Sequence, residues 1–330
     1  MTTTDLPTTF QTGGRGPSAS AIPVIELRRL TRNFRKPPGL ANRIARAIGA
    51  RVAGDQTVHA VDGIDLQIFP GEVVGLAGES GCGKSTLGRM IAGILEPSSG
   101  QILYRGQDVA GLTARERRDY MLASQMIFQD PFTSLNPRMR VGEIIGEAPA
   151  VHRMIGSSRL DDYVGELMSL VKLDPSYRVR YPHQFSGGQR QRIGIARAIG
   201  VRPQVIVCDE AVAALDVSIQ AQVLNLFMEL RDRFGFTYVF ISHDLSVIRH
   251  LSDRVAIMYL GRIVEEARTD ELFGHPATPI LGRCWARCLG STAAGAGSSR
   301  WPERFRRPST RPAAATSTRA APWRCRSAGR

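Results

Sequence analysis

Hydrophobic positions along the chain fall into two kinds of run. Val73-Val74-Gly75-Leu76-Ala77, Val205-Ile206-Val207-Cys208 and Tyr238-Val239-Phe240-Ile241 are short and continuously apolar, with polar residues following the last two. Such runs predict strands buried on both faces. Val61 to Ile68 alternates apolar with polar and leads to Pro70-Gly71, which predicts a half-buried strand closed by a turn. Val24 to Leu30 alternates more loosely and is expected to be a first strand. Elsewhere the spacing is helical: Leu87 to Ile94, the face formed by Leu160, Val164, Leu167, Met168 and Val171, the set Ile193, Ala196 and Ile199, and Val217 to Arg233. Strands alternating with helices predict an α/β fold with a mostly parallel sheet covered on both faces. No internal repeat is visible.

Three segments fall outside this pattern. Residues 1–21 are rich in Thr, Gly and Ser and are expected to form a disordered arm. They have neither the basic start nor the apolar run of a secretory leader. Residues 35–57, with Pro37-Pro38-Gly39 near their start, read as an inserted and partly helical excursion. Residues 280–330 carry neither period and are expected to form no packed unit. Nothing approaches the ~18 consecutive apolar residues that a membrane span needs. Five scattered cysteines give no even disulfide framework, as expected of a chain in a reducing cytosol.

Charge changes the picture once it is located. The 330 residues hold 43 Lys+Arg against 30 Asp+Glu, a net +13 that first suggests nucleic acid or an anionic membrane. Residues 280–330 contain eleven Arg, no Lys and one acid, Glu303, which leaves only +3 on residues 1–279. The basicity is a property of the tail, and no nucleic-acid partner is expected for the body.

The candidate chemistry lies in the body. Gly78, Glu79, Ser80, Gly81, Cys82, Gly83, Lys84, Ser85 and Thr86 match the phosphate loop G-x4-G-K-[ST], set between an apolar strand and a helix. Its glycines let backbone N–H groups curl around the phosphates of ATP, and the helix start adds a favourable dipole. Lys84 is expected to bridge the β- and γ-phosphates and the Ser85 hydroxyl to ligate Mg²⁺. Val205 to Cys208 delivers Asp209 to the outer shell of that metal and Glu210 to the attacking water as general base. Two carboxylates after a strand are also ordinary solvated ends, and the phosphate loop upstream favours the catalytic reading. Phe185-Ser186-Gly187-Gly188-Gln189 precedes an apolar-periodic helix and offers N–H groups and a hydroxyl to an anion. A simple helix cap is expected to need only the serine.

The order of phosphate loop, Gln129, Ser-Gly-Gly-Gln turn, Asp209-Glu210, Asp216 and His243 resembles the ATP-binding cassette (ABC) ATPases. The resemblance implies a P-loop NTPase fold over residues 22–279. It implies a mostly parallel core sheet, an antiparallel β subdomain and a helical subdomain at about residues 138–180. It implies that two cassettes face head to tail, with Ser186, Gly187, Gly188 and Gln189 of one covering the ATP of the other. In this reading Glu210, His243 and Lys84 are catalytic, and Gln129 senses Mg²⁺ and the nucleophilic water. Ser85, Gln129 and Asp209 hold the metal, Asp216 belongs to the loop that crosses the dimer, and Phe34 stacks on adenine.

The likeness is narrower than the superfamily. Met126-Ile127-Phe128-Gln129-Asp130-Pro131, then Ser134-Leu135-Asn136-Pro137-Arg138, the run from Ala214 to Val223, and Tyr259-Leu260-Gly261 resemble the oligopeptide/dipeptide importer ATPases. The insertion before Val61 resembles the second of the two paired ATPases in those systems. This implies two permease subunits in the membrane, a second ATPase subunit or copy, a solute-binding protein met only indirectly, and a position on the inner face of the cell membrane. Dipeptides, longer peptides and metal chelates are all compatible solutes, because specificity in these systems rests with the binding protein and permeases. Two other readings compete: a soluble cassette ATPase acting on nucleic acid or ribosomes, and a remnant that no longer assembles.

The chain departs from the family in two places. Ala211 stands where Pro is usual and Ala213 where Ser is usual, which removes a possible cross-dimer hydrogen bond of about 0.5–1.5 kcal/mol. The expectation is weakened coupling with catalysis retained. The likeness also stops after His275-Pro276-Ala277-Thr278-Pro279. In a shifted frame, permitted codons let residues 280–290 and 301–322 read as family-like peptide, including Phe-His-Pro-Arg-Cys-Pro. The tail is therefore read as out of frame, through a real lesion or a sequencing error, with a genuine basic arm for nucleic acid or lipid headgroups as the alternative, and sequencing the gene across codon 280 tests this.

Overall fold

The computed structural model describes residues 22–35 and 57–274. The expectations for 1–21, for the body of the insertion and for 275–330, the shifted frame included, lie outside the described residues. The chain divides into two units, residues 1–32 with 59–295, and residues 33–58 with 296–330. Of the second, only Asn33, Phe34, Arg35, Thr57 and Val58 are described, at the ends of two strands.

The first unit is built on two sheets. One has four strands in the order β2-β1-β4-β5: β1 (Ile25–Arg35), β2 (Thr57–Ile68), β4 (Ser99–Tyr104) and β5 (Gln107–Asp108). β4 runs antiparallel to both β1 and β5. The other has six strands in the order β10-β9-β3-β8-β7-β6: β3 (Val73–Gly78), β6 (Ser124–Ile127), β7 (Val205–Asp209), β8 (Thr237–Ile241), β9 (Arg254–Tyr259) and β10 (Arg262–Arg268). All its pairings are parallel except β9 with β10.

The loose alternation of the first strand has a local cause. Ile25, Leu27 and Leu30 are buried, so the inward phase changes between Leu27 and Leu30. The register against β4 shifts at this point, and Arg29 adopts a positive φ of 45°. Its amide donates to Asp65 Oδ1 at 2.8 Å. A bulge therefore absorbs one residue and restores the inward face.

Every residue of β7 and β8 is buried, as the continuous apolar runs predict, because helices cover both faces of the sheet. α1 (Lys84–Ile91) lies on one face against β7 and β8. Gly88 permits this, since a Cβ there would stand 2.7 Å from Ile241 Cδ1. α1 is shorter than its apolar spacing predicts. Gly93 takes a left-handed φ of 71°, the Ile94 amide donates back to Arg89 O at 2.9 Å, and Ile94 is left exposed. α8 (Leu245–Leu251) packs on β3. The apolar side chains of both sheets form one core, from Ile25, Leu27, Ile64 and Leu66 to Val74, Val207, Val239 and Met258.

The remaining helices are α2 (Ala114–Ala123), α3 (Pro131–Ser134), α4 (Val141–Val151), α5 (Leu160–Leu170), α6 (Gly187–Ile199), α7 (Val217–Phe234) and α9 (Thr269–Gly274). α3, α4 and α5 each pack against α6. Val164, Leu167, Met168 and Val171 are buried, as helical spacing predicts, and Ile193, Ala196 and Ile199 are buried on α6. α7 spans the predicted segment, but its first apolar residue, Val217, is 84% exposed. Among the described residues no helix is long and apolar enough to cross a membrane.

Candidate functional site

The carboxyl ends of β3, β7 and β8 meet at one edge of the parallel sheet, the place where open α/β sheets bind ligands. The loop from Gly78 to Gly83 leaves β3 and enters α1. Gly78, Gly81 and Gly83 all have positive φ, of 148°, 77° and 110°. At Gly83 a Cβ would also stand 2.0 Å from Ala60 O, and at Gly78 2.1 Å from Met258 O. Only glycine satisfies both the dihedral and the space. No side-chain hydrogen bond caps the start of α1, where the first N–H groups of a helix lack intrahelical acceptors.

Lys84 is buried and folds back over the loop, donating to Gly78 O at 2.8 Å and Glu79 O at 2.9 Å. Glu79 and Ser80 form the exposed crest, Cys82 is buried beneath it, and Thr86 is half-buried on α1. Burial pushes the Cys82 thiol above its ordinary pKa, with Lys84 acting against it. The loop also leans on a segment that motif reading left without a role. The Gly261 amide donates to Cys82 O at 2.9 Å, while Gly261 O accepts from the Asp62 amide at 2.8 Å. Tyr259-Leu260-Gly261 is the tip of the β9–β10 hairpin, with positive φ at Leu260 and Gly261. Its glycine is the sequence signal that could have shown this.

Three further strand ends deliver the polar groups. The Ser85 hydroxyl donates to Asp209 Oδ1 at 2.8 Å. Burial raises the Asp209 carboxyl above its ordinary pKa, and the Ser85 hydrogen bond, Arg89 and Lys84 offset part of that. Glu210, one residue beyond β7, has a φ of 48° and donates its amide to Ile241 O at 3.0 Å. That unusual dihedral turns its side chain back across the edge. Glu210 Oε2 accepts from Gln129 Nε2 at 2.7 Å, and Oε1 lies 3.3 Å from His243 Nδ1. Gln129 and His243 follow β6 and β8, so β6, β7 and β8 contribute one residue each to this group.

The signature turn stands apart. Ser186 caps α6, accepting from the Gln189 amide at 3.4 Å, while Gln189 Oε1 accepts from the Ser186 amide at 3.0 Å. This is a reciprocal capping box, so the glutamine belongs to the cap and the expectation that a cap needs only the serine is corrected. Gly187 and Gly188 face the start of α7: a Cβ at Gly188 would stand 2.4 Å from Ile219 Cγ2. None of the hydrogen bonds described for this turn reaches Lys84, Asp209, Glu210 or His243. Asp216 is exposed and begins α7 with no side-chain cap bond. Ala211 is buried and Ala213 is exposed beyond Glu210. Phe34, 41% exposed, stands near the end of β1 in the second unit.

A parallel sheet ending in a glycine loop, with a lysine, a serine–aspartate pair and a Gln–Glu–His group, defines a nucleotide-binding cassette. The family profile described as "ABC transporter" matches residues 61–213. The chain shares 48% identity over 263 residues with the oligopeptide transport ATP-binding protein AppF of Bacillus subtilis, covering 79% of this chain and 77% of that one. It shares 50% over 225 residues with OppF of B. subtilis (68% and 74% covered) and 49% over 225 residues with OppF of Salmonella typhimurium (68% and 67%). Among solved structures, cbiO1 from Clostridium perfringens, part of the ABC transporter complex cbiONQ, superposes with a TM-score of 0.63 at 25% identity, covering 77% of this chain and 91% of that one. The cassette MJ0796, solved as a dimer in a post-hydrolysis state with ADP and Pi, gives 0.62 at 24% identity, covering 74% and 98%. The chain belongs to the ATP-binding subunits of oligopeptide-transport ABC systems.

Proposed function

We propose that this chain binds and hydrolyses ATP to energise peptide import through separate permease subunits in the membrane. The observation that carries the chemistry is the Gln129–Glu210–His243 group at the sheet edge beside the phosphate loop. The boundary of the cassette is proposed at residues 22–279, with the helical part near 138–180.

Lys84 gives up the carbonyls of Gly78 and Glu79 and turns to the β- and γ-phosphates, while the N–H groups at the start of α1 take their oxygens. Glu210 orients the attacking water and accepts its proton. Gln129 and His243, one on each carboxylate oxygen, hold Glu210 in that direction. His243 Nδ1 lies 3.3 Å from Glu210 Oε1, which leaves the other ring nitrogen to meet the γ-phosphate. Charge stabilisation then falls to Lys84, the helix start and His243.

The donor set fits Mg²⁺. The Ser85 hydroxyl, the Asp209 carboxylate and the Gln129 amide are hard oxygen ligands, and Asp209 is buried with its charge under-compensated. When bound, the ion would neutralise charge on the terminal phosphates.

The hydrogen bonds described for the Ser186–Gln189 turn do not reach its own phosphate loop, which supports a head-to-tail pair in which each turn serves the partner's ATP. Asp216 and exposed Val217 would then lie where the two cassettes cross. Phe34 is the proposed adenine platform. The partners are two permeases and a second ATPase subunit or copy, on the inner face of the cell membrane. Reconstituting the full chain with its permeases in vesicles tests the reading: ATP hydrolysis stimulated by peptide-loaded binding protein is expected. Hydrolysis stimulated by nucleic acid and indifferent to permeases would overturn it.

A further inference from the structure

Gln129 and the signature turn share no hydrogen bond, yet a short strap joins the segment after Gln129 to the signature helix. Gln129 is followed by Asp130, whose carboxylate accepts from the Phe132 amide at 2.8 Å and starts α3. α3 ends at Ser134, and Ser134 O accepts from Arg197 Nη1 at 2.6 Å. Arg197 projects from α6, the helix that Ser186 begins. Burial lowers its pKa, Glu147 pulls the other way, and the hydrogen bond described for it goes to this main-chain carbonyl. A desolvated guanidinium is expensive, so the acceptor described for it carries weight.

Arg190, one turn along α6 from Ser186, holds the other end. Its guanidinium carbon lies 3.8 Å from the Phe132 ring centroid. The same guanidinium donates from Nε to Pro182 O at 2.8 Å and from Nη2 to His183 O at 3.2 Å, on the turn that leads into Ser186. One arginine thus touches α3, α6 and the approach to the signature turn.

We propose that Arg190 and Arg197 are positioning residues that clamp α3 to α6 and so fix where Gln129 stands against Glu210. This rests on Gln129 and Glu210 serving hydrolysis as proposed above.

The test is a set of double-mutant cycles in the reconstituted transporter, reading kcat, KM for ATP and thermal midpoint. R197M keeps the stem and removes the donor. It is expected to lower kcat about tenfold, the scale of a slightly misplaced catalytic group, with KM and midpoint unchanged. R197K is expected to recover part of that loss. F132A removes an exposed ring, so it tests the clamp even if R197M does not assemble, and a loss of about threefold in kcat is expected, in keeping with a cation–π contact of ~0.5–1 kcal/mol. Added to Q129A, neither substitution should lower kcat further. Losses that multiply in the double variants, or wild-type kcat in R197M and F132A, would overturn the clamp. Full turnover in E210Q would instead sink the hydrolytic reading itself, whatever Arg197 does.

Discussion

The Gln–Glu–His group and the signature turn are both polar, both lie at helix or strand ends, and behave oppositely. In the first, residues from three strands meet on one carboxylate, and a fourth element supplies Lys84. In the second, the side-chain hydrogen bonds described for Ser186 and Gln189 go to each other's amides. The first is assembled by tertiary structure and the second by four consecutive residues. A preassembled group suits bond breaking, where direction matters. A self-satisfied turn suits reversible contact with a ligand brought from outside, because it loses nothing when left alone.

The contrast can be broken at its strong end first. E210Q should lower turnover at least about a hundredfold, the size of a lost general base, while leaving ATP affinity intact. Equal loss of binding, measured by nucleotide titration, would mean that Glu210 shapes the pocket without acting on water. G83A should come next, because a Cβ there meets Ala60 O and forces a left-handed alanine. A loss of about 2–3 kcal/mol in denaturant unfolding is expected, with nucleotide binding lost too.

S186A sharpens the other side. It removes one long capping bond at an exposed helix start, so stability should fall by about 1 kcal/mol or less. Turnover in the assembled transporter should fall, yet nucleotide affinity of the isolated chain should stay the same. A weakened affinity in that isolated chain would tie the turn to its own phosphate loop and end the separation.

The smallest effect concerns Asp209. Its raised carboxyl pKa means that the folded chain holds this proton more tightly than the unfolded chain does. Protonated Asp209 therefore stabilises the fold fully below the unfolded value near 3.8, and that contribution is lost as pH rises through the folded value. At neutral pH the charged form opposes folding. D209N should raise the thermal midpoint at pH 7 and flatten its slope across that acid window. A lower midpoint at pH 7 would show that Ser85, Arg89 and Lys84 more than offset the burial.

Much of this was legible in the residues. Continuous apolar runs mark β3, β7 and β8 because helices cover both faces of the parallel sheet. Weak patterns hid the rest. β4 buries only Ile102 and Leu103 of its six residues, and the half-buried positions of β10 are Ile263, Glu265 and Ala267, so neither shows an apolar period in its residues. Gly93 stopped α1 before Ile94, because backbone geometry outranks apolar spacing at a helix end. In the site, the phosphate loop reads directly because glycines and lysine are adjacent in sequence. The support from Gly261 does not, since 179 positions separate it from Cys82 along the chain and only a main-chain hydrogen bond joins them.

By itself the sequence determined the class of chemistry. Gly78 to Thr86, Ser186 to Gln189 and Asp209-Glu210 are local motifs whose spacing carries their meaning. Tertiary structure alone decided which groups face one another. It put Gln129 and His243 on opposite oxygens of Glu210, laid the β9–β10 hairpin under the phosphate loop, and held α3 against α6 through Arg190 and Arg197. The physical reason is that hydrogen bonds act over about 3 Å. Residues far apart in the chain meet at that distance only after the apolar core has set the strands in register.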